Sequence, residues 1–354
     1  MSEIMVLNFK ECDGLKYFME QRWHSNRKDQ FPADLKDCIE KFKQIETTLN
    51  SEHHPLVNLG AAVNGAGLLT DHGPDHVQTV MKRALNIIGE KRVELLSGYE
   101  IFILLLAIHF HDLGNIYGRE EHEQKIAEVM EKTENTMMLN IIDKTHIRDI
   151  AMAHGGYADE LKMDKDTIRA VKIADYRDNI LIRPALLAAV LRFADEIADD
   201  FSRASKIVSP PENEIYHAYS SALDVNIKGD TVFFRYRIKY DYTQRKLQKG
   251  SDMIYLYDEI KIRLEKCLNE LEYCRKYSDG FIGITTLSVT IYLRNHNDEY
   301  IDAFRLRLHG YPTTLKIDNF IERLEQDGTV LTGQKLKFSS GEELMEKIRR
   351  EINV

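Results

Sequence analysis

Up to about residue 205, apolar side chains recur every three or four positions, the rhythm of helices that bury one face. Leu35, Cys38, Ile39, Phe42 and Ile45 mark a helix over Leu35–Leu49, and the turn-rich stretch NGAGLLTDHGPDH follows it. Gly73-Pro74 opens the next helix, since proline fits a first turn where its missing N–H is no loss. Val77, Val80, Met81, Ala84, Leu85 and Ile88 carry that helix to Gly89, with His76 in its first turn. Tyr99–Asp112 is apolar nearly all round and predicts a central, buried helix. Further helices are expected over Glu120–Glu131, Ile141–Ala153, Asp166–Ala174 and Pro184–Phe201. No strand pattern is visible in this part, so the N-terminal unit is expected to be all-helical.

Beyond Pro210-Pro211 the period changes. Ala222–Lys239 shows two alternating runs around Lys228-Gly229-Asp230, which signals a hairpin. Asp252–Tyr277 reads as a long amphipathic helix, Thr286–Arg294 and Phe304–His309 as strands. Two helices, near Ile317–Glu325 and Gly341–Ile352, are expected to bracket a Gly-rich turn and one further strand. The expected organisation is an all-α helical bundle over residues 1–205 and a smaller α+β domain over residues 206–354.

The chain has 354 residues, 43% hydrophobic and 30% charged, the composition of a globular protein with a substantial core. A net charge of −9 gives no general affinity for nucleic acid or anionic lipid. The longest apolar run, Ile101–Ile108, is much shorter than the roughly 20 residues that span a bilayer, so no membrane association is expected. No secretory signal is visible in the first residues, and the four cysteines (Cys12, Cys38, Cys267, Cys274) form no CxxC pair. Free thiols fit a reducing, cytoplasmic setting.

The chemistry concentrates where helices end. His111-Asp112 closes the most apolar helix, and burying either group without a partner costs about 2–7 kcal/mol for a neutral polar group and more for a charge. His76, His122, His154 and Asp195 fall at the ends of, or within, other helices of the same bundle. Facing helices build dinuclear metal sites in this way. Imidazole and carboxylate without thiolate suit one or two divalent ions among Mn, Fe, Mg, Ni and Zn. Each residue also has a plainer reading: a mutually satisfied core pair for His111-Asp112, a backbone contact for His76, a charged surface for His122, a helix-terminal histidine for His154. His72 competes with His76, and His109 points to another side of its helix from His111. Lys172, Arg177, Arg192 and Arg203, with Arg119, are candidates for holding phosphate. Tyr117, Tyr157 and Tyr176 are candidates for stacking on a base. Asp199 and Asp200 are expected to be solvated or paired with Arg203.

The order His76 … His111-Asp112 … His122 … His154 … Asp195 resembles the HD superfamily of metal-dependent phosphohydrolases. The contexts HDLGN (His111–Asn115), HEQKIAEVM (His122–Met130), MAHGG (Met152–Gly156) and LRFADEIAD (Leu191–Asp199) are similar to the family's segments. TDHGPDH (Thr70–His76) is similar to a branch found in predicted conflict systems, which suggests a role in antiviral defence. The resemblance covers about residues 50–205. It implies that His76, His111, Asp112 and Asp195 hold one metal, that His122 and His154 recruit a second, and that Asp112 bridges them. His111 and Asp112 are then the catalytic doublet, and a metal-activated hydroxide attacks phosphorus. Two departures stand out: Asn115 occupies a place where some members carry lysine, and the GYP triplet of one subgroup is missing.

The implied function is hydrolysis of a phosphoester or phosphoanhydride bond in a nucleotide or nucleotide-derived small molecule. Two alternatives remain at this point. One is a single-stranded nucleic-acid nuclease guided by the basic and aromatic stretch Phe234–Lys249, which otherwise reads as a half-exposed strand. The other is a non-catalytic nucleotide-sensing module. For the C-terminal domain the open roles are capping the site, homo-oligomer formation or docking a partner.

Overall fold

The computed structural model describes residues 14–25, 28–35, 37–62, 72–133, 138–199, 214–309, 316–324, 330–338 and 340–351. A helical region is followed by a sheet-rich one. The Gly98–Phe110 helix is buried along its whole length. A capping box starts it: the Ser97 hydroxyl accepts from the Glu100 N–H, and the Glu100 carboxylate accepts from the Ser97 N–H. Arg183 adds two charge-assisted bonds to the same buried carboxylate, at 2.8 and 3.0 Å. By length and composition Gly98–Tyr117 could cross a bilayer, yet 94% of its most apolar window lies inside the fold. Around it pack the helices Leu15–His24, Cys38–Thr48, Pro74–Ile88, Ile141–Met152 and Pro184–Glu196.

This central helix passes directly into a 3-10 turn, Leu113–Tyr117, against which the helices His54–Ala62 and His122–Lys132 lie. The packing there is very tight. A Cβ on Gly114 would stand 1.8 Å from the His122 carbonyl oxygen, so only glycine lets the two segments meet. The position of His122 beside Asp112 depends on that contact.

The expectation of an all-helical N-terminal part is corrected at one place. Strands β1 (Asp175–Arg177) and β2 (Ile180–Ile182) form an antiparallel hairpin. Its two loop residues, Asp178 and Asn179, have φ of 49° and 66°, the paired left-handed conformation of a tight hairpin turn, which Asp and Asn tolerate. Of the helix expected over Asp166–Ala174 only a single 3-10 turn, Thr167–Ala170, forms. The Asp166 carboxylate there accepts from the Tyr273 and Tyr277 hydroxyls rather than capping a helix.

In the second region β3 (Leu223–Lys228) and β4 (Thr231–Lys239) form the expected hairpin, with Gly229 at φ 63° in the turn. A two-stranded ladder of β5 (Leu247–Lys249) and β6 (Asp252–Ile254) precedes the long helix Leu256–Tyr277. Then come β7 (Thr286–Arg294), β8 (Tyr300–His309), β9 (Lys316–Leu324) and β10 (Val330–Lys337). The main sheet runs β10-β9-β8-β7-β4-β3, with β4 and β7 parallel and its other neighbours antiparallel. A parallel pair needs a crossover, and the long helix lies within that connection. The helix expected near Ile317–Glu325 is corrected to strand β9. Hydrogen bonding to β8 on one side and β10 on the other outweighs the helical spacing of Ile317, Ile321 and Leu324. Gly341–Glu351 is helical.

The two regions are joined along the long helix. Arg192 forks onto Glu270 at 2.6 and 2.9 Å, Lys266 reaches Glu196 at 2.6 Å, and Arg263 reaches Asp199 at 2.9 Å. Arg83 donates to the Val225 carbonyl at 2.7 Å, tying the Pro74–Ile88 helix to the edge strand β3. Cys38, Cys267 and Cys274 are buried free thiols, and Cys12 lies outside the described residues.

Candidate metal centre

Asp112 lies at the junction of the central helix and the 3-10 turn, 5% exposed, and its two oxygens face different partners. Oδ2 lies 3.4 Å from His76 Nε2, 3.4 Å from His111 Nε2 and 2.7 Å from His72 Nδ1. Oδ1 lies 3.3 Å from His122 Nε2 and 3.8 Å from His154 Nε2, and accepts from Asn115 Nδ2 at 3.0 Å. Asp195, on the Pro184–Glu196 helix, places Oδ1 3.1 Å from His76 Nε2 and 3.6 Å from His111 Nε2. Two groups result, His76–His111–Asp112–Asp195 and Asp112–His122–His154, sharing Asp112.

Backbone carbonyls set the tautomers. His111 Nδ1 lies 2.7 Å from the Ile108 oxygen, His154 Nδ1 2.6 Å from that of Ala151, and His122 Nδ1 3.1 Å from that of Arg119. A carbonyl only accepts, so each Nδ1 carries the proton and each neutral ring turns the lone pair of Nε2 toward Asp112. His122 and His154 therefore face each other acceptor to acceptor at 3.3 Å. Two lone pairs at that distance repel unless a cation lies between them. Neighbouring donor atoms around a four- to six-coordinate ion with bonds near 2.0–2.1 Å stand about 3.0–3.4 Å apart. The two imidazole nitrogens of the first group stand 3.2 Å apart and 3.1 to 3.6 Å from the two carboxylate oxygens. The donor set and its spacing fit a divalent metal.

The electrostatics agree with that. Burial disfavours charge on both carboxylates, yet His111 and the surrounding imidazoles outweigh it and hold Asp112 and Asp195 well below the usual carboxylate range. Burial would lower His111, but Asp112 and Asp195 push it up to about 10. His154 goes the other way, down to about 4, through burial and the nearby His111 and His122. Without an ion, the cluster draws in protons to balance its two carboxylates. A metal would compete for the same lone pairs.

This cluster forms one wall of a cavity of about 1180 Å³. His122, His154, Asp112 and Asp195 line it together with Tyr157, Arg119, Lys165 and Arg192. All six residues expected as ligands therefore come together in space. Among the expected phosphate-binding residues the placement is mixed. Arg192 lines the cavity, but its guanidinium is taken up by Glu270, by Thr167 Oγ1 at 2.8 Å and by the Lys165 carbonyl. Lys172 pairs with Asp175 at 2.8 Å and Arg177 with Asp34 at 2.6 Å, and neither is among the cavity-lining residues. Arg203 lies outside the described residues, as does Asp200; Asp199 pairs with Arg263. Tyr176 is exposed and Tyr117 lies under the Lys132 ammonium, so of the three tyrosines Tyr157 alone lines the cavity.

Sequence reasoning gave His72 too little weight. Its spacing of four from His76 was the available signal, and the structure sets it against Asp112. It missed Asn115 as an anchor of that carboxylate. It also missed Lys266 and Glu270, which enter the cavity from the long helix of the second region. Nothing in the pattern of that helix distinguishes these two from an ordinary charged face.

Residues 66–231 match the family model described as HD-CE. The matched stretch is HD-like, and it runs from before the Pro74–Ile88 helix to the first residue of β4. No curated protein and no solved structure matches the chain.

Proposed function

We propose that this chain is a metal-dependent phosphohydrolase acting on a phosphoester or phosphoanhydride bond of a nucleotide or nucleotide-derived small molecule. The observation that carries this is the division of Asp112, one oxygen toward His76 and His111, the other toward His122 and His154. His76, His111, Asp112 and Asp195 would hold one ion, and Asp112, His122 and His154 a second. Divalent ions there would supply an acidified water and neutralise charge on the phosphoryl oxygens.

The chain's own groups do the rest. The carbonyls of Ile108, Ala151 and Arg119 lock three rings in the ligating tautomer, so the site is organised before anything binds. Asn115 Nδ2 donates to Asp112 Oδ1 and to the Asp112 backbone carbonyl, both at 3.0 Å, which ties the carboxylate to its own turn. His72, on the cavity wall, shares a proton with Asp112 Oδ2 and is placed to pass one to a departing oxygen. Tyr157, with Lys165 5.4 Å over its ring, offers a face for a base. The defence-associated branch suggested by TDHGPDH is part of this proposal, with Thr70 and Asp71 outside the described residues.

The test is elemental analysis of metal per chain, followed by turnover of a panel of nucleoside mono- and triphosphates, dinucleotides and simple aryl phosphates with Mn²⁺. Metal near one or two ions per chain with turnover of some panel member is expected, and Asp112→Ala should abolish both. A metal-free protein that binds nucleotide without hydrolysing it would replace this proposal with a sensing role.

A further inference from the structure

The wall of the main cavity carries ten carboxylates against five Lys and Arg side chains. Most of those cations are already engaged. Arg192 is forked by Glu270, Lys266 lies 2.6 Å from Glu196, and Lys162 lies 2.9 Å from Glu121. Lys165 is stacked over Tyr157. On the acidic side, Glu160 has no hydrogen bond or ion pair among the described residues, and Glu120 has only Lys162 at 3.9 Å. Even two divalent cations at the His/Asp centre would leave this lining without a positive surplus. Glu120 and Glu160 are exposed at the rim, and a concave lining of one sign focuses its field on any charged ligand that enters.

From this balance, and resting on the hydrolase proposal above, we infer that the substrate presents a single, monoanionic phosphodiester to the metal centre and that polyphosphates and terminal phosphates are turned away. A terminal phosphate carries about −1.5 to −2 at neutral pH, and a triphosphate tail adds further charge that the wall cannot offset. A diester brings one charge, which the centre itself balances. In the reaction water supplies the oxygen of the new P–O bond, one ester P–O bond breaks, and the departing oxygen takes the proton that water gives up. The products are a phosphomonoester and an alcohol. Hydrolysis thus adds a charge to the phosphate, and the same acidic wall then favours its release.

The metal-loaded full chain should be assayed with bis(p-nitrophenyl) phosphate, with p-nitrophenyl phosphate, which has the same leaving group, and with a nucleoside triphosphate. We expect kcat/KM at least tenfold higher for the diester than for either of the others. Binding supplies a second readout. A β,γ-methylene nucleoside triphosphate should bind more weakly than a dinucleoside phosphorothioate, and its affinity should rise with added salt as repulsion is screened. The double variant Glu120→Lys, Glu160→Lys should narrow the kcat/KM ratio at least tenfold. Equal or better turnover of the triphosphate, or triphosphate affinity that falls with salt, overturns this inference and leaves the hydrolase standing. A protein that holds no metal and turns over nothing removes the hydrolase, and this inference with it.

Discussion

His122 and His154 meet Nε2 to Nε2 at 3.3 Å, each with its other ring nitrogen tied to a backbone carbonyl. While both rings are neutral neither can donate to the other, so what such a pair accommodates is a cation, either a proton on His122 or a metal ion. His154→Ala should therefore lower bound metal by about one ion per chain while the His76–His111–Asp195 group keeps its own, whereas Asp112→Ala should empty both. Metal-to-protein ratios after dialysis give the answer. Equal loss in both variants would mean that the two groups are not separate sites.

Gly114 tests whether the second group is set by packing. An alanine there would place its Cβ 1.8 Å from the His122 carbonyl oxygen, a backbone atom that cannot swing aside. Gly114→Ala should cost about 1–3 kcal/mol in urea unfolding, the range for overpacked sites. It should also weaken uptake of a second ion more than of the first. Unaltered metal content alongside unaltered stability would show that the segment relaxes freely.

The pair Arg192–Glu270 crosses between the two regions, 6% and 14% exposed at their side chains. Removing one partner strands a charge in a poorly solvated place. Arg192→Ala and Glu270→Ala should each destabilise by about 3–5 kcal/mol. The double variant should lose less than the sum of the two, as expected for partners in contact. Chemical denaturation of all four proteins completes the cycle.

A pH effect follows from Glu46. Burial opposes its charge, but the His109 ring and the Lys16 ammonium outweigh that and lower its pKa from 4.5 to about 2. A carboxyl whose pKa is depressed by folding contributes stability above its unfolded pKa, and that contribution drains away as pH falls toward the folded value. Wild type should therefore exceed Glu46→Gln by about 1–3 kcal/mol at pH 6, with the gap closing between about pH 4.5 and 2. Urea midpoints across that range measure it, and a gap independent of pH would assign Glu46 a packing role only.

Four of the six ligand candidates were legible because each sits beside a strong local signal. Pro74 starts the helix of His76, Gly155-Gly156 follow His154, and His111-Asp112 interrupt an apolar run. What stayed hidden depends on tertiary contacts. Residues 316–324 have apolar spacing that fits a helix, and only the neighbours β8 and β10 decide otherwise. The β1–β2 hairpin is three residues per strand, too short for alternation to register, and its one cue was Asp178-Asn179. Lys266 and Glu270 reach the cavity from a helix about seventy positions beyond Asp195, a distance no local pattern encodes.

One long helix, Leu256–Tyr277, bridges the parallel strands of the sheet and also carries Lys266 and Glu270 into the chamber wall. Its middle turns pack on the Pro184–Glu196 helix, where Arg192 meets Glu270 and Lys266 meets Glu196. A substitution that unseats this helix from the Pro184–Glu196 helix would therefore also withdraw the ammonium that neutralises Glu196, next to Asp195, so the sheet and the cavity lining share one support.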